Sequence, residues 1–251
     1  MELDRRGAVL PSFSRPVDFA MRRKTLILAL LVVVVLVGGA GVTLAVLARH
    51  EPAYYRRGAV PLGQQRHIWS TQFFGELSHL SSALQREEDV WDAEFTTDQI
   101  NSYLQDGFLD ERRDEQMLPD NLSDPRVAID NDRLRLGIRY GHGVWSSIIT
   151  IDMRLWVAQG EANTVGLELL GLHAGALPVN AQSLLEYVSE VARHNDRPKV
   201  DVSWYRYNGH PVALLRFGSD QQRTTVQLKQ VELKEGRLVL QGRSITRSAN
   251  Q

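Results

Sequence analysis

The chain has 251 residues with a formal net charge of −1, from 29 Lys and Arg against 30 Asp and Glu. It has no cysteine, which excludes disulfides, thiolate metal sites and thiol nucleophiles. The hydrophobic fraction of 43% is ordinary for a folded protein, and the absence of a basic stripe argues against a nucleic-acid partner.

Residues 1–24 predict a basic cytoplasmic tail, and Thr25–Ala48 predicts a transmembrane helix. The second segment has no charged residue. At 1.5 Å per residue it spans about 36 Å, enough for a hydrocarbon core of about 30 Å. A signal peptide cleaved after Ala48 is the alternative, but its apolar region is usually only about 7 to 15 residues long. We therefore expect a retained single-pass anchor.

The basic residues around the apolar segment predict its orientation. Six precede it and four follow it over a similar distance, and Arg22, Arg23 and Lys24 abut it directly. The positive-inside rule then predicts an N-terminus in the cytoplasm and a C-terminal domain outside it. We expect the span to lie in the cytoplasmic (inner) membrane, with the domain in the periplasm or extracellular space. The tail takes six basic and three acidic residues, which leaves the rest of the chain with a charge of −4.

A stem, residues 49–63, is predicted between the span and an exported domain, residues 64–251. Tyr54 and Tyr55 are predicted either to lie at the membrane interface or to pack on the domain, and the prolines of the stem interrupt any helix. Residues 64–87 then predict a helix with one apolar stripe that needs a partner surface. The domain's own sheet, another chain and the membrane are the alternatives. The stripe consists of Ile68, Trp69, Phe73, Phe74, Leu77, Leu80 and Leu84.

The next predicted helix, Thr97–Asp106, has the strongest local signal in the domain. Thr96 and Gln99 have the spacing of a capping box, and Gly107 predicts the end of the helix. Ile100 and Leu104 are expected to face inward. The charged segment that follows, Asp110–Asp124, predicts an exposed loop.

Beyond this loop the apolar residues recur every second position, which predicts strands. Arg133–Tyr140 and Ile149–Val157 predict a long antiparallel hairpin with one apolar and one polar face, and a third strand is expected at Thr164–His173. Strands of this length tend to curl. A second amphipathic helix is predicted at Ala181–His194. Further strands are predicted at 199–207, 212–217, 224–234 and 237–245, so the fold class is α+β.

The sequence has no recognisable catalytic or nucleotide-binding fingerprint. We expect no catalytic residue, no metal and no cofactor, and the protein is predicted not to be an enzyme; a hydrolase with dispersed residues is the weaker alternative. Asp152, Arg154 and Glu168 are expected to share the polar face of the sheet, where ion pairs contribute little to stability.

Two short motifs carry a resemblance to a known family. They are the capped helix Phe95–Leu104, FTTDQINSYL, and the Gly-x-Leu-Pro turn at Gly175–Pro178. With the membrane anchor and the long meander, they resemble the TULIP-like (tubular lipid-binding) small bacterial envelope proteins, including YpmS-type single-span membrane proteins. The chain departs from that family in its long first helix.

The resemblance implies a curved antiparallel sheet wrapped around two or three amphipathic helices, with an apolar groove for lipid. A membrane-anchored protein that binds or handles lipid is therefore the leading hypothesis. A scaffold or assembly subunit of an envelope complex, with Ile68–Leu84 as the partner surface, is the alternative. An ordinary packed core is the alternative role for each predicted lipid-binding residue. These residues are Ile100, Leu104, Ile149, Ile151, Met153, Leu155, Leu184 and Val188.

Overall fold

The computed structural model describes residues 19–86, 88–110, 121–180, 201–217 and 226–244. The chain forms two compact units, Met1–Ala45 and Val46–Gln251. Helix α1, Phe19–Ala48, ends where the predicted span ends but begins six residues earlier. It is long and apolar enough to cross a membrane, with a mean hydropathy of 2.8 over its apolar part.

Three more helices and one unpredicted strand follow α1. Helix α2, Ala53–Arg57, lies in the predicted stem, and α3, Gln64–Gln85, matches the next predicted helix. Strand β1, Val90–Thr96, was not predicted, although Trp91, Ala93 and Phe95 are buried in alternation. Helix α4, Thr97–Asp110, continues beyond Gly107, where it was predicted to end. A helical glycine costs only about 1 kcal/mol, which packing can offset.

The remaining strands follow the predicted two-residue period closely, and β2 and the two-residue β6 are the unpredicted additions. Part of β2 falls in the segment that was predicted to be a loop, which is wrong for residues 122–124; residues 111–120 of that loop lie outside the described residues. Turns at Gly209 and Gly236 have positive φ, as tight hairpins require. The strands are β2, Leu122–Asp130; β3, Arg133–Tyr140; β4, Ser147–Val157; β5, Thr164–Ala174; β6, Leu177–Pro178; β7, Asp201–Tyr207; β8, His210–Arg216; β9, Val226–Lys234; and β10, Arg237–Ser244.

The strands divide between two antiparallel sheets, a division that the sequence did not predict. The smaller sheet has the order β1-β10-β9. The larger, seven-stranded sheet has the order β2-β3-β4-β5-β8-β7, with β6 paired to β5. The predicted hairpin β3–β4 and the third strand β5 are confirmed.

Helix α4 lies between the two sheets and shares its apolar residues with both. Ile100 packs against the cluster of α3 and the small sheet, which contains Leu80, Trp91 and Phe95. It also packs against a second cluster around Val127, Ile129 and Leu233, which joins the large sheet to β9. Burial of these side chains supplies the main stabilisation of the domain.

Helix α3 packs on the domain, but its predicted stripe is not one continuous buried face. Phe73, Leu80 and Leu84 contact the core beside β1, which confirms the domain itself as a partner surface. The stripe prediction is wrong for Ile68, Phe74 and Leu77, which are 40%, 56% and 41% exposed. The helix instead buries Arg66, whose guanidinium lies 3.0 Å from the Asp106 carboxylate of α4.

Two asparagine side chains bind the backbone of outer strands. The Asn101 amide nitrogen donates to the Val127 carbonyl at 2.9 Å, and its oxygen accepts from the Val127 N–H at 2.7 Å. Asn163, in the β4–β5 turn, binds the Val226 carbonyl and the Leu228 N–H in the same way, both at 2.8 Å. Each amide replaces the hydrogen bonds that a further strand would make.

Candidate functional site

The apolar face of the large sheet is the surface on which most of the predicted lipid-binding residues were expected. On β3 and β4 the register places Ile138 opposite Ile149 and Leu134 opposite Met153. On the other side of β4, Ile151 lies opposite Leu172 of β5. Aliphatic side chains therefore form a continuous band across three neighbouring strands, because opposite residues share a face.

Part of this band remains accessible to solvent. Ile138, Ile149, Ile151 and Met153 are all half-buried, and we call these four residues the open apolar patch. In a filled core such side chains are removed from water completely, and each Å² of apolar surface buried stabilises the fold by about 25 cal/mol. The patch therefore retains apolar area that a ligand could cover.

The other end of the same face is closed by packing. Ile100, Leu104 and Leu155, three of the predicted lipid-binding residues, contact the buried cluster of Val127, Ile129 and Leu233. They have the surroundings of core residues. Leu184 and Val188 lie outside the described residues, as does the helix predicted for Ala181–His194. The structure thus brings Ile149, Ile151 and Met153 together on one accessible surface.

The opposite face of the sheet is covered by the stem. Tyr55 is fully buried, and its hydroxyl donates to the Asp124 carbonyl at 2.7 Å. The Arg126 guanidinium lies 4.2 Å from the centre of the Tyr55 ring and donates to the Tyr55 carbonyl at 2.9 Å. The predicted membrane-interface position of these tyrosines is wrong for Tyr55, and the alternative, packing on the domain, is confirmed.

Tyr54 adds a second contact between the stem and the sheet, at Thr150 of β4. Its hydroxyl lies 2.8 Å from the Thr150 hydroxyl, and burial raises the pKa of Tyr54 to about 12. Burial likewise raises the pKa of Tyr55. Gly137 provides the space, because a Cβ atom there would lie 2.6 Å from the Tyr55 ring and 2.7 Å from the Tyr54 hydroxyl. As a result, Thr150, on the nominally polar face, is more buried than Ile149 or Ile151.

The end of α1 is also held by the domain. The Leu47 carbonyl accepts from the Ala176 N–H at 2.8 Å, and the Ala48 carbonyl accepts from the Ser147 hydroxyl. A Cβ atom at Gly175 would collide with both carbonyls. The Gly-x-Leu-Pro turn therefore connects β5 to β6 and contacts residues 47 and 48.

A charge network lies elsewhere on the polar face. Glu168 is only 5% exposed, and its carboxylate lies 3.3 Å from Arg154 and 2.8 Å from the His210 Nδ1. Asp152 pairs with Arg135 at 3.2 Å instead. The predicted approach of Arg154 and Glu168 is confirmed. Among the described residues, no three His, Asp or Glu side chains gather as metal ligands would.

A polar cleft of about 740 Å³ lies between the stem, the start of α4 and the β9–β10 turn. Its walls carry Arg57 and Arg135 together with Asp98 and Asp130. Since both signs of charge are present, the cleft has no clear preference for an anion or a cation. The open apolar patch does not contribute to its walls.

Sequence reasoning missed the contacts by which Asn101, Gly137 and Gly175 position these surfaces. Asn101 did leave a signal, because it is a polar residue beside Ile100 in a helix predicted to face inward. Gly175 was part of the Gly-x-Leu-Pro motif, but nothing near either glycine in the sequence indicated its contact, since the rings and carbonyls involved are distant along the chain.

Comparison with protein-family models, with curated proteins and with solved structures finds no match for this chain. The resemblance to TULIP-like envelope proteins therefore stays a prediction.

Proposed function

We propose that this protein is a single-pass protein of the cytoplasmic membrane whose exported domain binds lipid, without catalysis, on the open apolar patch. The accessible aliphatic surface of Ile138, Ile149, Ile151 and Met153 is the observation that carries the proposal. An acyl chain is the occupant proposed here, because α1 would hold the domain beside a bilayer. Each lipid methylene buried on the patch would contribute about 0.8 kcal/mol.

The position of the stem further supports this proposal. Tyr54 covers the opposite face of β4 at Thr150, so at this point of the strand the accessible side is the apolar one, with Ile149 and Ile151.

Native mass spectrometry of the full-length protein, released from detergent micelles, tests the proposal. We expect the wild-type protein to retain lipid at collision energies that remove the lipid around α1. Replacing Ile151→Gln should weaken this binding by about 2 kcal/mol, roughly thirtyfold in affinity, because a polar side chain no longer packs against the acyl chain.

Val90→Gln provides the matched control. Val90 is also a β-branched strand residue, but it is 75% exposed on the small sheet. This variant should retain lipid as the wild type does. Wild-type protein free of lipid, or equal retention by both variants, would contradict the proposal.

A scaffold function is the second candidate, and one observation favours it. Ile68, Phe74 and Leu77 leave three large apolar side chains exposed on α3, and a protein partner could cover them. A photo-reactive amino acid in place of Phe74 in intact cells would distinguish the two functions. A scaffold should give one stoichiometric protein adduct, whereas a lipid-binding protein need give none.

A further inference from the structure

The connection between β3 and β4 carries exposed aromatic side chains beside the end of the span. Trp145 is 79% exposed, more than any other described aromatic residue, and Tyr140, the last residue of β3, is 53% exposed. A short 3-10 helix, Gly143–Trp145, holds this connection, and the Ser146 hydroxyl donates to the Gly143 carbonyl at 2.9 Å.

The β3–β4 connection, the start of β4 and the β5–β6 turn contact residues 47–49, where the apolar run ends. The Arg49 guanidinium lies 4.6 Å from the centre of the Trp145 ring. Ser147 donates to the Ala48 carbonyl, and Ala176 binds the Leu47 carbonyl at 2.8 Å. Three separate contacts thus fix residues 47–49 against this part of the domain.

These contacts determine the depth of Trp145 if α1 crosses a membrane. The apolar run ends at Ala48, so Arg49 would lie in the headgroup region, where an arginine keeps its charge hydrated. A ring stacked on that guanidinium lies at nearly the same depth. Tryptophan and tyrosine favour this region, because their rings are apolar and their polar groups can reach water.

We infer that the β3–β4 connection is a membrane-contact site, in which Trp145 and Tyr140 enter the lipid interface beside Arg49. The inference rests on the proposed membrane anchor. Its partner is the headgroup region of the same bilayer. The domain would then be held at the membrane at two points, the span and this aromatic contact.

Site-directed spin labelling of the full-length protein tests this inference. The chain has no cysteine, so each single-cysteine variant carries one label. The test variants are Trp145→Cys and Tyr140→Cys, the second of which leaves Trp145 and its contact with Arg49 intact. Val90→Cys is the matched exposed control, at 75% against 79% for Trp145, and Val33→Cys reports on the span.

Each variant is placed in nanodiscs of phosphatidylcholine and phosphatidylglycerol, and collisions of the label with oxygen and with a water-soluble nickel complex are compared. We expect the oxygen-to-nickel ratio at positions 145 and 140 to lie between the low ratio at position 90 and the high ratio at position 33. Ratios at 145 and 140 equal to that at 90, with a high ratio at 33, would overturn the contact and leave the anchor intact.

Two other results would also overturn the inference. A low ratio at position 33 would show that the span itself does not cross the bilayer, so the proposed anchor would fail as well. Few collisions with either reagent at positions 145 and 140 would show that protein, and not lipid, covers the connection.

Discussion

Asn101 shows how one side chain joins two elements of this fold. It is completely buried, and its amide forms both hydrogen bonds to the backbone of Val127. Gln105, one turn further along α4, binds the stem in a similar way, through the Gly58 carbonyl at 3.2 Å and the Val60 N–H at 3.3 Å. The two amides therefore hold the large sheet and the stem against the same helix.

Replacing Asn101→Ala should lower the free energy of unfolding of the domain by about 2 to 4 kcal/mol. The substitution removes two hydrogen bonds and leaves the buried Val127 N–H and carbonyl without partners. Urea unfolding in detergent, followed by tryptophan fluorescence, measures the change. Gln72→Ala, on the exposed side of α3, is the control and should change stability little. Equal stability of the two variants would contradict this role of Asn101.

The raised pKa of Tyr54 predicts that the domain loses stability at high pH. An unfolded tyrosine ionises near pH 10, whereas burial raises the pKa of Tyr54 in the folded protein to about 12. Between these values the unfolded chain binds fewer protons than the folded one, so the free energy of unfolding falls as pH rises.

Tyr54→Phe should make this fall shallower, and Tyr55, whose pKa burial also raises, should account for part of the remainder. Urea unfolding of both proteins at a series of pH values from 9 to 12 gives the comparison. An identical pH dependence for the variant and the wild type would show that Tyr54 is not held in its protonated form.

At the scale of elements, the stem is the part of the fold that the sequence predicted least well. The alternation of apolar residues predicted β3, β4 and β5 to within a few residues, because one buried face imposes a period of two. The docking of α2 had no such signal. It depends on a missing side chain at Gly137 and on two rings that come from a distant part of the chain.

The same reasoning explains the mixed result for the predicted lipid-binding residues. Periodicity identified which residues of β4 share a face, but it could not predict that α4 and β9 close one end of that face. Leu155 therefore joins the core, while Ile149 and Ile151 stay accessible. Long-range packing, and not local pattern, makes this distinction.

Gly137→Ala should displace the stem from the sheet. The added methyl group would overlap the Tyr55 ring and the Tyr54 hydroxyl, so α2 must move or the sheet must distort. Limited trypsin digestion at Arg56 and Arg57 measures the release, and we expect faster cleavage there than in the wild type. Gly75→Ala, which has open space around it on α3, should not change the rate. Unchanged cleavage in Gly137→Ala would contradict the tight fit.

For the whole molecule, the contacts described above join residues 47–60 to the rest of the compact unit that begins at Val46. The Leu47 carbonyl binds the β5–β6 turn, and Tyr54 and Tyr55 bind the large sheet. The backbone of Gly58 and Val60 binds Gln105 of α4. The stem is therefore an integral part of this unit.

Photo-crosslinking with a diazirine-labelled fatty acid tests the proposed lipid binding most directly. After irradiation of full-length protein in nanodiscs, peptide mapping locates the adducts. We predict adducts on β4, Ser147–Val157, in addition to those on α1, and a marked loss of the β4 adducts in Ile151→Gln. Adducts confined to α1, with none on β4, would contradict the account.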